Sequence, residues 1–298
     1  MEEALIKLIK DVVLPSLNNS MTPFPIDKKI CTNWANDLPN EGETILYTGC
    51  MYQISPLLEE IEQHIDKFTR LPFFTKLSAL VRFLKPKEDR ILRSYKILKN
   101  IANLLKKNSI SFAYLYEEEP YSGALLLEFG LLKEFREYIE KVFNLFQKKG
   151  IKRIITVDPH SYNALVRGKE LLGVNIEIIP YFELISKVNV ISEANGEKEY
   201  VIHDSCLYFR FHNKRGYKDL AEKAGVKVVE DWLINDRENG TCCGYPIYMI
   251  NKELSEKIAK YRVSQLNKVS KNIIVVCPFC YMNLSRFGNV IDLAELIT

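Results

Sequence analysis

Hydrophobic and polar residues follow two alternating patterns along this chain. Short apolar runs rich in β-branched residues have the composition of strands that are buried on both faces of a parallel sheet. These runs are residues 45–49, 152–157, 175–180, 200–204, 226–230 and 272–276. Longer stretches with a 3.6-residue period, such as 131–150 and 251–269, lie between the runs and predict helices. The alternation predicts an α/β fold with functional groups at the carboxyl ends of parallel strands.

The ends of these helical stretches carry recognisable residues. The stretch 131–150 finishes with Lys148, Lys149 and Gly150, which suits a helix C-terminus. Asn251 begins the second stretch and suits an N-cap. Both stretches are therefore predicted to be helices with defined ends.

The pattern also repeats within the chain. Four segments of the first half correspond, in order, to four segments of the second half: 43–56 to 199–213, 117–130 to 238–251, 153–165 to 272–284, and 178–185 to 289–297. In the first pair, an apolar strand ends at Cys50 or at Cys206. Ordered matches at similar spacing predict two tandem copies of one α/β unit.

A polar stretch around 192–200 marks the boundary between the copies, because it contains the turn pair Asn195-Gly196. We predict an N-terminal lead-in at 1–40, a first domain at 41–193 and a second domain at 194–298. The first domain is the longer one, and its excess is predicted to be a helical insertion at 69–107.

Composition narrows the function classes. The chain has 298 residues, with 41 basic and 38 acidic side chains and a net charge of +3. General nucleic-acid binders have a stronger basic excess, so no nucleic-acid partner is expected. The sequence shows no signal-peptide pattern and no apolar run of membrane-spanning length, so we expect a cytoplasmic location. Reducing conditions there favour cysteines that serve metal or redox chemistry over a disulfide framework.

Cysteines provide the strongest chemical pattern. Five of the seven, Cys206, Cys242, Cys243, Cys277 and Cys280, lie in the second copy. A Cys-x-x-Cys pair brings two sulfurs to one metal or cluster, and five thiolates exceed the four that tetrahedral zinc needs. We expect Gly244 to let the backbone pass close to a bulky inorganic group. These five cysteines are predicted to bind an iron–sulfur cluster, with structural zinc as the alternative.

The same residues resemble a known family. Cys206, Cys242-Cys243-Gly244 and Cys277-Pro-Phe-Cys280-Tyr281 resemble the CCG, or cysteine-rich, domain found in the cysteine-rich subunit of heterodisulfide reductase. His203-Asp204-Ser205-Cys206 is similar to that family's His-Asp-Pro-Cys, and residues 24–38 resemble the segment before its first CCG domain. The resemblance covers about 22–298. It implies two tandem α/β CCG domains, with short parallel sheets flanked by helices.

For function, the resemblance implies an oxidoreductase subunit that is active within a complex. Its cysteines would hold a [4Fe–4S] cluster, cubane or non-cubane, for electron transfer and thiol–disulfide chemistry. The chain has no ferredoxin cysteine run and no G-x-G-x-x-G sequence, so electrons have to be exchanged with partners. The expected partners are a ferredoxin-like iron–sulfur subunit and a flavoprotein subunit, and the expected substrate is a thiol, a disulfide or a quinone.

The first copy departs from the family pattern. It keeps one repeat cysteine, Cys50, and the other ligand positions are taken by Tyr121, Ser122, Asp158 and Ser161. We therefore expect one cluster site and a degenerate first copy. Asp158 and His160 are either metal ligands or polar groups that fill the vacated pocket, and the second interpretation is favoured.

Other side chains have open roles. His203 is a candidate catalytic residue, as a proton donor or a hydrogen-bond partner of the cluster, with a structural role as the alternative. Arg210 either offsets cluster charge or is an ordinary surface residue. Cys31 lies outside the repeats and is expected to be a buried, inert thiol. Cys50 is expected to be a vestigial ligand position, with a redox or ligand role as the alternative.

The insertion supports a second hypothesis about function. Apolar and basic residues at 71–90 predict a short amphipathic helix that covers the protein's own core, docks on a partner or lies on a membrane. Membrane contact would place the protein at the inner face of a membrane. The chain would then be a membrane-attachment or quinone-relay subunit, as an archaeal succinate dehydrogenase resemblance implies. A structural zinc-binding scaffold is the remaining alternative.

Overall fold

The computed structural model describes residues 6, 8–69, 86–187, 198–235 and 239–297. The strands are β1 (Thr44–Tyr47), β2 (Arg153–Thr156), β3 (Glu177–Pro180), β4 (Glu199–Ile202), β5 (Lys227–Val228), β6 (Asn272–Val275) and β7 (Asn289–Asp292). They form a three-stranded sheet in the order β1-β2-β3 and a four-stranded sheet in the order β5-β4-β6-β7.

Helices fill most of the sequence between the strands. A π-helical turn at Ile9–Val13 precedes the first of them, and short 3₁₀ turns lie at Tyr116–Glu118, Tyr181–Glu183 and Tyr245–Ile247. The α-helices are α1 (Leu14–Ser20), α2 (Lys29–Thr32), α3 (Met51–Thr69), α4 (Glu88–Lys107), α5 (Ala124–Glu128), α6 (Leu132–Lys148), α7 (Pro159–Leu172), α8 (Cys206–His212), α9 (Gly216–Lys223), α10 (Lys252–Leu266), α11 (Pro278–Leu284) and α12 (Leu293–Leu296). The predicted α/β class is confirmed, with short parallel sheets flanked by helices.

The two helices with predicted ends form where the pattern placed them. The stretch 131–150 becomes α6, whose buried side includes Phe135, Phe143 and Phe146. The stretch 251–269 becomes α10, and the side chain of Asn251 accepts a hydrogen bond from the backbone N–H of Leu254. This N-cap satisfies one of the backbone donors that the first helical turn leaves unpaired.

Residue contacts divide the chain into two compact units. Unit 1 consists of Met1–Tyr95, Phe112–Ile154 and Ala164–Ile178, and unit 2 consists of Lys96–Ser111, Ile155–Asn163 and Ile179–Thr298. The units interleave along the sequence, so that 155–163 and 179–193 belong to unit 2. The sequence division at 41–193 and 194–298 stays a prediction about the repeat.

The parallel sheet of unit 2 positions the cysteines. β4 pairs with β6 through Val201 and Ile273, and β6 pairs with β7 through Ile273 and Val290. Val201, Ile273 and Ile274 are completely buried. The interior of this sheet is therefore apolar, as expected of parallel strands that are covered on both faces.

The first sheet begins with the strand that precedes Cys50. In β1, Ile45, Leu46 and Tyr47 are completely buried. The ring of Tyr47 meets Phe146 of α6 edge to face, with 5.9 Å between the ring centroids. Packing of α6 thus holds the strand that leads to Cys50.

The predicted amphipathic segment at 71–90 falls mostly outside the described residues, as does most of the boundary stretch 192–200. Of the insertion 69–107, the described part is mainly α4. Among the described residues, no helix combines the length and the apolar character that crossing a membrane requires.

Candidate metal centre

The carboxyl ends of two neighbouring strands bring the cysteines to one edge of the unit 2 sheet. β4 ends at Ile202, and α8 begins at Cys206. β6 ends at Val275, and Cys277 is the N-cap residue of α11. Because β4 and β6 are adjacent and parallel, their carboxyl ends lie side by side. This is where the strand pattern predicts functional groups.

The Cys242-Cys243-Gly244 turn is held against α10 and α11. The Ser255 hydroxyl donates a hydrogen bond to the Gly244 carbonyl (2.8 Å), and the Asn283 amide donates one to the Cys243 carbonyl (2.8 Å). Both polar side chains are completely buried. The turn is therefore fixed from two helices, which orients its two sulfurs.

Packing within the protein requires glycine at position 244. Its φ is +87°, in the left-handed region, and an added Cβ would lie 2.9 Å from the Ile258 side chain and 3.0 Å from the Ser255 carbonyl oxygen. The sequence-based expectation was close approach to an inorganic group. In the structure, close packing against α10 already excludes a side chain at this position.

All five predicted ligands come together in a single array of sulfurs. Neighbouring thiols influence one another's pKa in pairs: Cys206 with Cys242, Cys242 with Cys243, Cys243 with Cys280, and Cys280 with Cys277. None of the five is in a disulfide within the described chain. Cys243, Cys277 and Cys280 are buried, whereas Cys206 and Cys242 are half-buried. The array therefore has a dry inner side and one edge that reaches solvent.

Contacts between sulfurs and burial in the protein shift the pKa values of some of these thiols in opposite directions. Hydrogen bonds from Cys206 and then Cys243 hold the pKa of Cys242 well below its usual value. Burial is the largest influence on Cys277 and raises its pKa, but hydrogen bonds from Cys280 and the neighbouring His160 outweigh it and lower the pKa. The remaining thiols act as donors, and their pKa values are raised. The array is thus prepared to hold negative charge, which thiolate ligation of a metal requires.

A buried cation lies beside these sulfurs. Arg262 of α10 is completely buried, and within the described residues its Nη2 finds no hydrogen-bond partner. Burial lowers the pKa of Arg262 to about 10, and interactions with the acidic groups of Asp204, Cys280 and Cys243 oppose that shift. A buried guanidinium is stable where negative charge compensates it. Five soft sulfur donors with such a counter-charge fit an iron–sulfur cluster, and four of them would also fit zinc.

His203 completes the inner side of the array. One of its ring nitrogens and the sulfurs of Cys243 and Cys280 all lie within 4.8 Å of one another. Burial, followed by the charge of Arg262, lowers the pKa of His203 to about 3. The imidazole is therefore neutral at physiological pH.

Two residues of the degenerate first copy also belong to unit 2. Nε2 of His160 lies 3.3 Å from Sγ of Cys277, and its ring meets Phe279 edge to face. Asp158 caps α7, because its Oδ1 accepts hydrogen bonds from the backbone N–H groups of His160 and Ser161 (both 2.9 Å). The structure therefore engages Asp158 in a helix cap and places His160 against a predicted ligand.

The remaining degenerate positions lie in unit 1. Tyr121 and Ser122 are buried, and Gly123 is left-handed with φ +78°, like its counterpart Gly244. Tyr121 accepts a hydrogen bond from the backbone N–H of Leu125 through its hydroxyl oxygen (3.0 Å). Gly123 and Gly244 thus share a left-handed backbone conformation, and Tyr121 and Ser122 carry oxygen atoms at the positions that correspond to Cys242 and Cys243 in the predicted repeat.

The expectation that Cys31 is a free, inert thiol was wrong. The structure joins Cys31 and Cys50 in a disulfide, so neither is a free thiol. Both are buried. Cys31 lies in α2, and Cys50 immediately precedes α3. No sequence pattern indicated this pairing, because Cys31 lies outside the repeats and the cysteines were assigned to metal or redox chemistry as a class.

Comparison with known proteins agrees with this arrangement of sulfurs. Residues 200–285 match the family model of the cysteine-rich domain CCG. This segment is a CCG domain. It contains every residue of the five-sulfur array and nearly all of β4 and β6. The resemblance to CCG proteins that the sequence suggested is therefore confirmed.

Curated relatives carry related names. The chain is 25% identical over 276 residues to the probable iron-sulfur-binding oxidoreductase FadF of Bacillus subtilis, covering 90% of this chain and 36% of that protein. It is 27% identical over 273 residues to EtfAB:quinone oxidoreductase of Syntrophomonas wolfei, covering 86% and 33%. A probable membrane-anchored ferredoxin of Chromohalobacter salexigens is 23% identical over 230 residues, covering 69% and 34%. The chain thus spans about a third of the length of these relatives.

Two arginines of the CCG domain have structural partners near the sulfurs. Arg210 of α8 donates to the Gly240 carbonyl and so ties this helix to the loop before Cys242. Arg262 was missed by the sequence reasoning. A pattern for it existed, because Ser255, Ala259, Arg262 and Leu266 share the buried side of α10, and a charge at a core position indicates a buried partner.

Proposed function

We propose that this chain is the iron–sulfur subunit of an oxidoreductase complex, in which Cys206, Cys242, Cys243, Cys277 and Cys280 hold one cluster. The observation that carries the proposal is the uninterrupted array of five thiols beside a buried arginine. The relatives named as an iron-sulfur-binding oxidoreductase and as EtfAB:quinone oxidoreductase support the same class of activity. A bound iron–sulfur cluster would supply single-electron transfer at this position.

The protein's own residues have clear tasks in this proposal. The three inner cysteines are buried, and Tyr245 stacks on Phe279 with 4.5 Å between ring centroids, so this side excludes water. Cys206 and Cys242 form the half-exposed edge of the array. We assign the exchange of electrons with a partner to this edge, because electron transfer requires close approach.

The parts of the relatives that this chain does not match suggest which partners it needs. About two thirds of each relative lies outside the part that this chain matches. We propose that a ferredoxin-like iron–sulfur subunit and a flavoprotein subunit supply the missing redox groups, with a quinone as the final acceptor. The complex would work in the cytoplasm or at the inner face of a membrane.

A second candidate function is cleavage of a disulfide at the cluster, as in heterodisulfide reductase. The half-exposed edge at Cys206 and Cys242 favours it, because a substrate sulfur can approach the array there. The two candidate functions differ in which molecules change the spectrum of the cluster. A thiol substrate alters its spectrum directly, whereas a relay responds only to redox partners.

Metal analysis of anaerobically purified full-length protein tests the first proposal. We expect iron and acid-labile sulfide and little zinc, together with an EPR signal after reduction. Cys243→Ser should lose most of the iron, whereas the double variant Cys31→Ser/Cys50→Ser should keep it. Zinc in place of iron, or equal iron in Cys243→Ser, would contradict the proposal.

EPR spectroscopy of the same protein preparation distinguishes the two candidate functions. Addition of 2-mercaptoethanol to the oxidised cluster should leave the EPR spectrum unchanged if the cluster is a relay. Reoxidation of the dithionite-reduced protein by menadione should then follow single-electron steps. A new signal on addition of the thiol would favour disulfide chemistry instead.

A further inference from the structure

Arg262 makes an unusual contact for a buried arginine. Its Nε–H donates a hydrogen bond to Nδ1 of His203 over 3.2 Å, and its Nη1 donates to the Ile234 carbonyl oxygen over 2.7 Å. Both side chains of the pair are completely or almost completely buried. Solvent therefore does not compete for this hydrogen bond.

The contact determines the protonation pattern of the imidazole. A guanidinium has donors and no acceptor, so Nδ1 of His203 must present its lone pair to Arg262. A neutral imidazole whose Nδ1 accepts must carry its proton on Nε2. The cationic form, which has protons on both nitrogens, would place an N–H against the Nε–H of the arginine.

This tautomer excludes one role and supports another. A histidine that binds a metal uses a nitrogen lone pair and normally donates its other N–H to an acceptor. In His203 the Nδ1 lone pair is taken by Arg262, and Nε2 carries a proton. The remaining capacity of the ring is donation from Nε2, and a ring nitrogen of His203 lies within 4.8 Å of the sulfurs of Cys243 and Cys280.

We propose that Arg262 fixes His203 as the Nε2–H tautomer, so that His203 donates a hydrogen bond to the sulfurs of the metal centre and is not a metal ligand. This inference deepens the proposed function and rests on it for the identity of the cluster. Of the roles that the sequence left open for His203, it selects the hydrogen bond to the cluster over catalytic proton donation. Arg262 acts through His203 and is a positioning residue.

A donor at this place has an electronic consequence. An added electron makes the cluster more negative, and a hydrogen bond to its sulfurs stabilises that extra charge. The buried positive charge of Arg262 acts in the same direction. Both residues are therefore expected to raise the reduction potential of the cluster.

The tautomer of His203 can be determined by NMR in the metal-free protein. The full-length chain, labelled with ¹⁵N-histidine and kept metal-free, contains four histidines, and comparison with His203→Gln assigns the signals of His203. We expect a protonated Nε2 and an unprotonated Nδ1 between pH 6 and 8. A protonated Nδ1 would overturn the proposal, as would coordination of Nε2 in the zinc-loaded protein.

Redox titration of the iron-loaded protein provides the second readout. His203→Leu should lower the midpoint potential, and His203→Gln, which retains an N–H donor, should restore much of the difference. His212→Leu replaces a histidine that contacts Asn163 elsewhere in unit 2, so the potential should not change. Equal potentials in the wild type and His203→Leu would refute the hydrogen bond to the cluster.

Arg262 variants test the positioning role. Arg262→Lys keeps a charge and a donor, and we expect the Nε2–H tautomer to persist. In Arg262→Leu, the Nδ1–H tautomer of His203 should become populated. If Arg262→Leu does not fold, Arg262→Lys and the variants His203→Leu and His203→Gln decide the proposal. Loss of the Nε2–H tautomer in Arg262→Lys would contradict it. Absence of iron from the wild type would refute the proposed function and leave the tautomer result standing.

Discussion

Nε2 of His160 lies 3.3 Å from Sγ of Cys277, so a residue of the degenerate first copy contacts a cysteine of the CCG domain. His160 occupies the position in its copy that Phe279 occupies between Cys277 and Cys280. The ring of His160 meets Phe279 with 4.6 Å between centroids. A residue of the predicted first copy thus packs against a predicted ligand of the CCG domain.

Replacement of His160 should weaken metal binding. His160→Ala removes the hydrogen-bond partner of Cys277 and one of the influences that lower the pKa of this thiol. Loss of a side chain that supports a ligand typically reduces metal affinity about 10–100-fold. We expect this range for zinc, measured by competition with a chromogenic chelator. His212→Gln is the matched control, and an equal loss there would show a general effect of histidine replacement.

Gly244→Ala should destabilise the metal-free protein. The left-handed conformation disfavours a side chain by about 1–2 kcal/mol, and the contact with Ile258 adds a steric penalty of similar size. We expect a total loss of about 3 kcal/mol in urea-induced unfolding. Gly130→Ala is the control, because Gly130 has φ +73° and no atom within 4 Å of an added Cβ. It should show the conformational penalty alone, and equal losses in both variants would exclude the steric contribution.

Local patterns were sufficient to predict β1 to β6, two helices and the five-cysteine array, whereas β7 was not among the predicted strands. Apolar runs placed β4 and β6, and the cysteines followed directly at the strand ends. These predictions depend on patterns among residues that are neighbours in the sequence, and such patterns are visible without a structure. The α/β class followed from the same alternation.

Pairs that are distant in the sequence were not predictable in this way. Arg262 and His203 are 59 residues apart, and His160 and Cys277 are 117 apart. Each contact arises because parallel strands and their helices converge at one sheet edge. Cys31 and Cys50 were separated in the sequence reasoning because the repeat included one and excluded the other. Periodicity indicates which face of an element is buried, but not which residue lies opposite.

The Cys31–Cys50 disulfide should be detectable as two protected thiols. Alkylation of the metal-free, denatured protein without reductant should modify five cysteines, and prior reduction should raise the number to seven. Closing a chain loop with a sequence separation of 19 stabilises the folded state by about 3 kcal/mol. Reductant should therefore lower the free energy of unfolding of the wild type by that amount. The Cys31→Ser/Cys50→Ser variant should not respond, and a similar response there would assign the effect to other cysteines.

Glu119 should make the stability of the protein fall with rising pH. Its carboxyl is buried and accepts hydrogen bonds from the backbone N–H (3.0 Å) and the hydroxyl (2.6 Å) of Thr48. Burial raises its pKa to about 8, and the hydrogen bonds from Thr48 and the Cys50 backbone only partly oppose this. The folded state therefore keeps a proton that the unfolded state releases above pH 4.5.

The direction of the pH effect follows from this difference. Between pH 4.5 and 8 the folded state binds more protons than the unfolded state, so the free energy of unfolding decreases as pH rises. The full loss is on the order of 5 kcal/mol, reached above pH 8, at about 1.4 kcal/mol for each unit of pKa. Urea unfolding of metal-free protein from pH 5 to 9 measures it. Glu119→Gln cannot ionise and should flatten the curve, whereas Glu117→Gln, at an exposed position nearby, should leave the slope in place. The same slope in the wild type and in Glu119→Gln would show that Glu119 is ionised in the folded protein.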